Sequence, residues 1–296
     1  MNVKMAYISS MLIFGSIGLF VKNIDMSSME LAFARAVIAS IFLGAVTLLR
    51  RQKVSFATIK SNLVLLAISG AAIGLNWFFL FQAFKYTTIP YATLSYYFAP
   101  VFIMLLSPIV LKEKLTGTKI SCVVMAMMGL FLILNVGGDS AGGSYDHPRG
   151  IMFGLLGAVA YASVTLMNKF IKALSGFETT FIQLMMAALV LLLSILFSGN
   201  LSIFSVEHKD WILIFVVGIV HTGIAFWLYF SSVKNLTAHS IAVLSYIDPI
   251  SAIIIASIFL GESMTAVQVL GGVLILGSTF LSEKADTYMR KQNAVK

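Results

Sequence analysis

The chain has 296 residues, of which 59% are hydrophobic and 11% are charged. A typical soluble domain carries about a quarter charged residues, so this composition excludes a water-soluble globular fold and indicates that lipid is the solvent. The single cysteine, Cys122, excludes a disulfide framework and a cysteine metal cluster. The net charge of +8 does not indicate nucleic-acid binding, because the basic residues are distributed as in a membrane protein (below).

Apolar windows of about 20 residues recur along the whole sequence, each long enough to cross a bilayer core of roughly 30 Å. Their backbone polar groups must be satisfied internally, which predicts helices, and the alternating pattern of a transmembrane barrel is absent from the sequence. The ten predicted spans, five in each half, are 3–22, 29–49, 62–84, 89–111, 116–135, 150–170, 177–198, 211–232, 239–260 and 265–283.

The first two spans carry two cations. Lys22 ends span one and is interpreted, like Lys169 in the second half, as an anchor at the membrane boundary. Arg35 lies six residues into span two, where it could attract an anionic solute. It could equally reach toward the membrane surface or pair with Glu30, and we favour such a structural role.

Spans three and four hold a cluster of aromatic side chains together with one amide. The cluster includes Asn76, Trp77, Phe81, Tyr96 and Tyr97. Trp77 and Phe81 are four residues apart and share a helix face. Such walls suit flat or cationic organic solutes, and these residues are candidates to line a substrate cavity. The alternative is an interfacial aromatic belt combined with core packing.

A proline lies near the middle of spans four and nine, at Pro100 and Pro249. Proline removes one helical hydrogen bond and clashes with the carbonyl four residues before it, which here frees the carbonyls of Tyr96 and Ser245. Transporters use helices broken at this depth as sites and hinges, so both prolines are predicted hinges. A simple packing kink is the alternative.

The second half carries two ionisable residues without counterparts in the first half, His221 in span eight and Asp248 beside Pro249. A carboxylate at mid-membrane costs about 2.5–3.5 kcal/mol, so Asp248 is expected to face water or to take up a proton. Both are candidates for proton coupling or substrate contact, together with Tyr246. Alternatively, Asp248 only hydrogen-bonds neighbours such as Ser245 or Ser251, and His221 is a packing residue.

The two halves repeat one another. Tyr97-Phe98-Ala99-Pro100 recurs 149 residues later as Tyr246-Ile247-Asp248-Pro249. Further pairs at this offset are Gly74 and Gly223, Phe81 and Phe230, Lys85 and Lys234, Thr88 and Thr237, Glu113 and Glu262, and Thr116 and Thr265. Because each copy has an odd number of spans, the second copy must run inverted in the membrane.

Charge supports this inversion. The turn Leu111-Lys112-Glu113-Lys114 is basic, whereas its counterpart Leu260-Gly261-Glu262-Ser263 has lost both lysines. With a cytoplasmic N-terminus, fifteen of the 20 Lys and Arg residues fall inside, four fall outside, and Arg35 lies within a span. This bias places both termini in the cytoplasm. The predicted organisation is a first repeat (1–136), a linker (137–149), an inverted second repeat (150–284) and a cytoplasmic tail (285–296).

The sequence resembles the drug/metabolite transporter superfamily, in particular its EamA branch. The resemblance rests on the paired five-span halves, Phe33-Ala34-Arg35, the two mid-span prolines, and the turns Leu111-Lys112-Glu113 and Leu260-Gly261-Glu262. It implies helices three and four of each half lining a central cavity, and a secondary exporter of small metabolites such as amino acids, amines or drug-like compounds in a bacterial-type inner membrane.

Rival functions remain: a channel or uniporter, an intramembrane enzyme, or a receptor or scaffold. An enzyme would need a nucleophile beside a base, and no motif pairs His221 with a serine. The sequence predicts no catalytic residue, no metal site and no cofactor, because it has neither an ATP-binding loop nor metal-ligand spacing. The expected partners are a small-molecule substrate and the lipid bilayer. Glycine pairs such as Gly70 and Gly74 permit close helix contacts, so self-association stays open.

Overall fold

The computed structural model describes residues 3–49, 56–112, 116–135, 145–198, 206–233, 236 and 244–294. These parts of the chain are helical and contain no strand. Several residues used in the sequence comparison lie outside the described residues: Glu113, Lys114, the linker segment 137–144, Lys234 and Thr237.

The helices follow one another with short connections. They are α1 (Val3–Lys22), α2 (Ser28–Leu49), α3 (Phe56–Tyr86), α4 (Ile89–Tyr96), α5 (Ala99–Val110), α6 (Gly117–Asn135), α7 (His147–Asn168), α8 (Gly176–Ser198), α9 (His208–Gly218), α10 (Ala225–Val233), α11 (Ile247–Leu260) and α12 (Ala266–Ala294). A π-helical turn, Ile219–Ile224, joins α9 to α10.

Seven stretches of the described chain are long and apolar enough to cross a bilayer, and α4 with α5, like α9 with α10, counts as one of them. Three shorter apolar helices cover 117–133, 247–260 and 266–282. The all-helical membrane class is therefore confirmed. Within the described residues, seven of the ten predicted spans reach crossing length by this measure.

Helices α2 and α8 both begin with a cap formed by a serine and the glutamate three residues after it. At the start of α2, the amide of Glu30 donates to Ser27 Oγ, and the Ser27 hydroxyl donates to Glu30 Oε2. At the start of α8, Glu178 N donates to Ser175 Oγ, while Ser175 N donates to Glu178 Oε2. Each pair satisfies amides that a helix start leaves without intrahelical partners.

The predicted fourth span is interrupted three residues before Pro100. α4 ends at Tyr96, and the amides of Tyr97 and Phe98 bond back to Thr93 and Ser95. α5 then restarts at Ala99. A turn at Tyr246 likewise precedes α11, three residues before Pro249. Both prolines therefore sit in the first turn of a new helix, where their missing amide costs little.

Packing crosses between the halves in matching pairs. α2 packs on α9 and the π-helical turn, with Ile38 against Gly218, whereas α8 packs on α3, with Met186 against Gly70. α1 packs on α11, while α7 packs on α4 and α5. At the side of the bundle, α6 packs on α12, where Gly271 approaches the backbone of Gly129.

The buried apolar residues form two clusters. One joins α1, α2, α3, α4, α8, α9 and α11 and includes Leu31, Phe81 and Ile214. The other joins α4, α5, α6, α7 and α12 and includes Leu94 and Ile275. Leu94, Phe98 and Ala99, on either side of the Tyr97 break, belong to this second cluster.

Candidate functional site

The two broken helices meet through one hydrogen bond. The Tyr97 hydroxyl, at the break between α4 and α5, donates to Asp248 Oδ2 in the first turn of α11 at 2.7 Å. Ser251 Oγ bonds the Asp248 backbone carbonyl at 2.9 Å rather than its carboxylate. Ser251, one of the neighbouring serines considered from the sequence, thus bonds the backbone of Asp248, whereas Tyr97 donates to the carboxylate from the other half of the chain.

Helix α1 passes directly behind Asp248. A Cβ atom on Gly15 would lie 2.1 Å from Ser251 Oγ and 2.5 Å from the Asp248 carbonyl oxygen. Both distances are far below van der Waals contact, so only glycine allows α1 to lie this close. This contact holds the backbone of the first turn of α11 against α1.

Three tyrosines surround the carboxylate, and we call Tyr96, Tyr97, Tyr161 and Asp248 the tyrosine–aspartate cluster. The rings of Tyr96 and Tyr97 lie 6.2 Å apart, and those of Tyr96 and Tyr161 lie 5.9 Å apart, both edge to face. The Tyr161 hydroxyl is near enough to Asp248 for electrostatic interaction. Tyr161 is 46% exposed, and the other three are partly exposed, so the cluster is not sealed inside the protein.

Asn76 holds the cluster in place from α3. Its Nδ2 donates to the Tyr96 hydroxyl at 3.2 Å and to the Gly157 carbonyl of α7 at 2.8 Å. Asn76 itself is buried. This predicted cavity residue therefore positions Tyr96, and its amide is already engaged on two sides.

Trp77 and Phe81 face a charge within the protein. The Arg35 guanidinium lies 4.0 Å from the centroid of the Trp77 ring and 5.7 Å from that of Phe81, and Nε donates to Thr222 Oγ1 at 2.5 Å. Arg35 is only 4% exposed. The structural role favoured for Arg35 fits this geometry, although its contacts are aromatic rings and a threonine rather than Glu30.

His221 and Asp248 have different partners. His221 Nε2 lies 3.0 Å from Ser16 Oγ of α1, and its ring packs on Phe20 at 4.6 Å. Nδ1 lies 3.4 Å from the Val216 carbonyl, across the π-helical turn. A proton-linked pair of His221 with Asp248, one of the arrangements expected from the sequence, is therefore not formed by direct contact.

The serine beside His221 bears on the enzyme alternative. Ser16 Oγ is also 2.9 Å from the Ile13 carbonyl of its own helix, and a hydroxyl has one proton to donate. His221 is 2% exposed, and its second nitrogen faces a backbone carbonyl instead of a carboxylate. This enclosed pair joins α1 to the π-helical turn and lacks the orienting carboxylate of a Ser-His-Asp triad.

Tyr246, the counterpart of Tyr97 in the duplicated motif, packs on the last helix. Its ring packs edge to face on Phe280 of α12, with centroids 6.0 Å apart. The two tyrosines predicted from the duplicated motif thus have different neighbours, since Tyr97 contacts Asp248 and Tyr246 contacts the last helix.

A second polar group closes the end of the bundle where α1 ends. Lys22 Nζ lies 2.5 Å from Glu262 Oε1, and the backbone amide of Ile89 donates to Glu262 Oε2 at 2.7 Å. Lys22 also donates to the Tyr145 hydroxyl at 3.1 Å. The Lys22 and Glu262 side chains are 11% and 7% exposed. We call this group the latch, because it joins the ends of α1 and α11 to the start of α4.

The start of α7 lies beside the latch. His147 Nδ1 is 2.6 Å from Thr87 Oγ1, and its ring lies 4.7 Å from that of Tyr91. Gln268 of α12 donates to the Tyr91 hydroxyl. Polar contacts between the two halves therefore continue across this end of the molecule.

Sequence reasoning missed Tyr161, Ser16, Thr222 and the Ile89 amide. Tyr161 was missed because a tyrosine in an apolar span has no pattern that distinguishes a site from packing. A backbone amide carries no side-chain signal at all. In the described residues no group of His, Cys, Asp and Glu is arranged to hold a metal ion.

Comparison with known proteins identifies the same fold and a family. The model of the EamA-like transporter family matches two separate segments, residues 3–135 and 148–283. A solved crystal structure aligns over 95% of this chain and 96% of its own length, with a TM-score of 0.62 and 18% identity. At this identity the likeness concerns the fold alone.

Several curated proteins are similar over most of the chain. The uncharacterized transporter YxxF of Bacillus subtilis is 32% identical over 92% of this chain and 86% of its own length. A probable amino-acid metabolite efflux pump of Salmonella typhimurium is 26% identical over 75% of this chain and 77% of its length. The riboflavin transporter ImpX of Fusobacterium nucleatum is 25% identical over 65% of both chains.

Proposed function

Because the chain belongs to the EamA-like transporter family, we propose that it is a secondary active transporter that exports small organic metabolites across the plasma membrane. The named relatives include an amino-acid metabolite efflux pump and a riboflavin transporter, which supports a small organic substrate rather than a macromolecule or an inorganic ion. Family membership also favours transport over the enzyme alternative.

One observation carries the location of the site: the hydrogen bond from Tyr97 to Asp248. It joins the two helix breaks, one from each family-matched segment, and the surrounding tyrosines are partly exposed. In the proposal, substrate binds at this tyrosine–aspartate cluster, and Pro100 and Pro249 serve as hinges on either side. Trp77, Phe81 and Asn76 then support the wall of the site from behind, since all three are buried.

The proposed architecture is two inverted repeats of five membrane crossings, divided at the linker. The two matches to the family model, the equivalent caps of α2 and α8, and the reciprocal packing of α2 on α9 and of α8 on α3 support a duplicated unit. The three shorter apolar helices would complete ten crossings. Charge distribution supports cytoplasmic termini.

The latch supports alternating access. Under the proposed orientation, it lies at the outer end of the bundle and holds that end closed. A buried ion pair that also accepts a backbone amide must separate before solute leaves on that side, and related folds rock one repeat against the other around a fixed site. In this scheme, breaking the latch and opening the outer end are one event.

Proton coupling is proposed for Asp248 alone. Its carboxylate lies among hydroxyl groups near the middle of the bundle, where protonation removes the cost of a charge in an apolar setting. His221 is enclosed and bonded to Ser16, so the proposal gives it a packing role. In this proposal, the proton and the solute bind at the same tyrosine–aspartate cluster.

Counterflow in proteoliposomes tests the transport proposal. Vesicles preloaded with an unlabelled solute are supplied with a trace of the labelled solute, over a panel of amino acids, amines and flavins, with and without a pH gradient. A transporter with alternating states shows accumulation stimulated from the opposite side. A channel shows none, and chemical conversion of the solute would favour an enzyme.

The variant Asp248→Asn tests whether transport depends on a proton bound at Asp248. We expect this variant to lose transport and its response to the pH gradient together, because the amide cannot exchange a proton. Glu207→Gln is the matched control, since Glu207 is an exposed carboxylate outside the cluster. Full activity and an unchanged pH response in Asp248→Asn would contradict the assignment.

A further inference from the structure

We propose that the tyrosine–aspartate cluster selects solutes that carry an ammonium group beside an aromatic or other flat apolar body. This inference rests on the proposed function and adds to it the charge of the substrate. It depends on which charges of the bundle interior are accessible and which are already neutralised by contacts within the protein.

The accessible charge is negative. Asp248 is partly exposed, and its Oδ2 has one hydrogen-bond donor, Tyr97. Among the residues whose side chains the structure describes, the other carboxylates lie at or beside helix ends: Asp25, Glu30, Asp146, Glu178, Glu207, Asp210 and Glu262. The carboxylate at the helix breaks is therefore the acidic group that a solute between the halves would meet.

The positive charge in the same region is enclosed. Arg35 is 4% exposed, with its guanidinium over Trp77 and its Nε bonded to Thr222. An anionic solute could reach this charge only after Trp77 and Thr222 had moved. At the surface of the cluster, a cation therefore meets the partly exposed Asp248 carboxylate, whereas an anion does not meet the enclosed Arg35 guanidinium.

The tyrosines extend the preference to the body of the solute. Tyr96, Tyr97 and Tyr161 stand edge to face around the carboxylate, and aromatic faces attract ammonium groups by about 0.5–2 kcal/mol, which corresponds to roughly 2–30-fold in affinity. The rings also stack with flat apolar groups. The ammonium group is shared by free amines and amino acids, and the cluster distinguishes them from carboxylic acids that lack it.

Three probes built on one phenylethyl scaffold test this selection. Phenethylamine carries the ammonium group alone, L-phenylalanine carries ammonium and carboxylate, and 3-phenylpropanoate carries carboxylate alone. Each is titrated into the purified full chain in detergent, and binding is measured from the rise in the unfolding temperature. We expect the two ammonium-bearing probes to stabilise the protein and 3-phenylpropanoate to have no effect.

Variants assign the effect to the cluster. A hydrogen bond to a charged group contributes about 1.5–3 kcal/mol, so Asp248→Asn should weaken phenethylamine binding by about tenfold to 150-fold. Tyr161→Phe keeps the aromatic face and should retain binding, whereas Tyr161→Leu should lose several-fold. Glu207→Gln removes an exposed carboxylate outside the cluster and should leave binding unchanged.

The inference is overturned if 3-phenylpropanoate stabilises the protein as much as phenethylamine, if neither ammonium-bearing probe stabilises it, or if Asp248→Asn binds phenethylamine normally. Transport is measured separately as counterflow of labelled phenethylamine. Selective binding without counterflow would contradict the transport proposal and leave the charge assignment intact. Counterflow that is equally fast for the propanoate would contradict the charge assignment alone.

Discussion

Arg35 illustrates how a charged side chain is accommodated within an apolar bundle. Its guanidinium lies on the indole of Trp77, and Thr222 accepts from Nε. A desolvated cation–π contact contributes about 2 kcal/mol, and without it the charge would be buried with fewer partners. Trp77 therefore stabilises the fold through Arg35 as well as through its own apolar surface.

Replacing Trp77 by leucine is expected to destabilise the protein more than the same change at Trp211, which is partly buried and packs on Phe215. Large-to-small changes of buried aromatic residues cost about 3–5 kcal/mol, and loss of the cation–π contact adds to this only at Trp77. The free energy of unfolding is measured by detergent-mediated denaturation of the purified protein.

The double variant Arg35→Met/Trp77→Leu provides a control for this reasoning. Because it removes the buried charge together with its ring, it should be more stable than Trp77→Leu alone. Equal losses for Trp77→Leu and Trp211→Leu, with no recovery in the double variant, would show that Arg35 does not depend on the indole.

At the scale of the helices, the latch and the two breaks have opposite effects. The breaks at Tyr97 and Tyr246 interrupt α4–α5 and the approach to α11, and thus create points where the helix direction can change. The latch ties the start of α4 to the end of α11 through Glu262. A movement that separates the halves at this end must therefore break the ion pair before the helix segments can turn.

Lys22→Met is expected to widen the end of the bundle where α1 ends. Removing one partner of a buried ion pair costs about 3–5 kcal/mol. Because the ion pair of Lys22 with Glu262 is formed in the closed arrangement, its loss destabilises that arrangement relative to an open one. Spin labels at Asn23 and Ser263, in a Cys122→Ala background, report the separation of α1 from the end of α11. We expect longer distances than in the parent protein.

The exposed ion pair of Lys209 with Glu207, 2.8 Å apart, provides the matched control for the latch. Water and salt screen an exposed pair, so that it contributes little to stability, and Lys209→Met should leave the distance distribution unchanged. An unchanged distribution in Lys22→Met as well would mean that other contacts, such as that of His147 with Thr87, hold this end closed.

At the scale of the whole molecule, the reciprocal packing of α2 on α9 and of α8 on α3 interlocks the two halves. Each half supplies the partner for the other's second helix, so neither half completes its own core. This interlocking joins the two family-matched segments in one bundle. The proposed inversion of the second segment leads to a prediction about sidedness.

Asn23 and Lys172 are expected to lie on opposite faces of the membrane. α1 ends just before Asn23, whereas α7 ends shortly before Lys172, and both residues are exposed. In a Cys122→Ala background, a membrane-impermeant maleimide applied to intact cells should label Asn23→Cys and spare Lys172→Cys until the membrane is opened. Reporter fusions at the two termini should both report the cytoplasm.

Labelling of Lys172→Cys alone in intact cells would reverse the assigned orientation and put the latch inside. Labelling of both sites in intact cells, or termini mapped to opposite faces, would contradict the inverted repeat. Asp146, which caps α7 at the Asn23 end, provides a third position whose accessibility should follow that of Asn23.

Much of the helix layout could be read from the sequence. Span one coincides with α1 at Val3–Lys22, and span seven differs from α8 by one residue, because long apolar runs and serine caps mark helix limits clearly. The interruption near Pro100 was expected for the same local reason. The site was less accessible to prediction: Asn76 and Tyr97 were singled out, but Tyr161 was not, since its importance depends on the neighbours that packing gives it.

What the sequence determined by itself is local in origin: lipid as the solvent, helices rather than a barrel to satisfy the backbone there, caps, and proline breaks repeated at an offset of 149 residues. The tertiary structure alone decided the partners across the chain, 151 residues apart for Tyr97 with Asp248 and 240 for Lys22 with Glu262. It also decided that His221 bonds Ser16 and that Arg35 lies on Trp77. Apolar periodicity specifies that a helix face is buried, whereas the choice of partner depends on shape and on the close approaches that residues such as Gly15 allow.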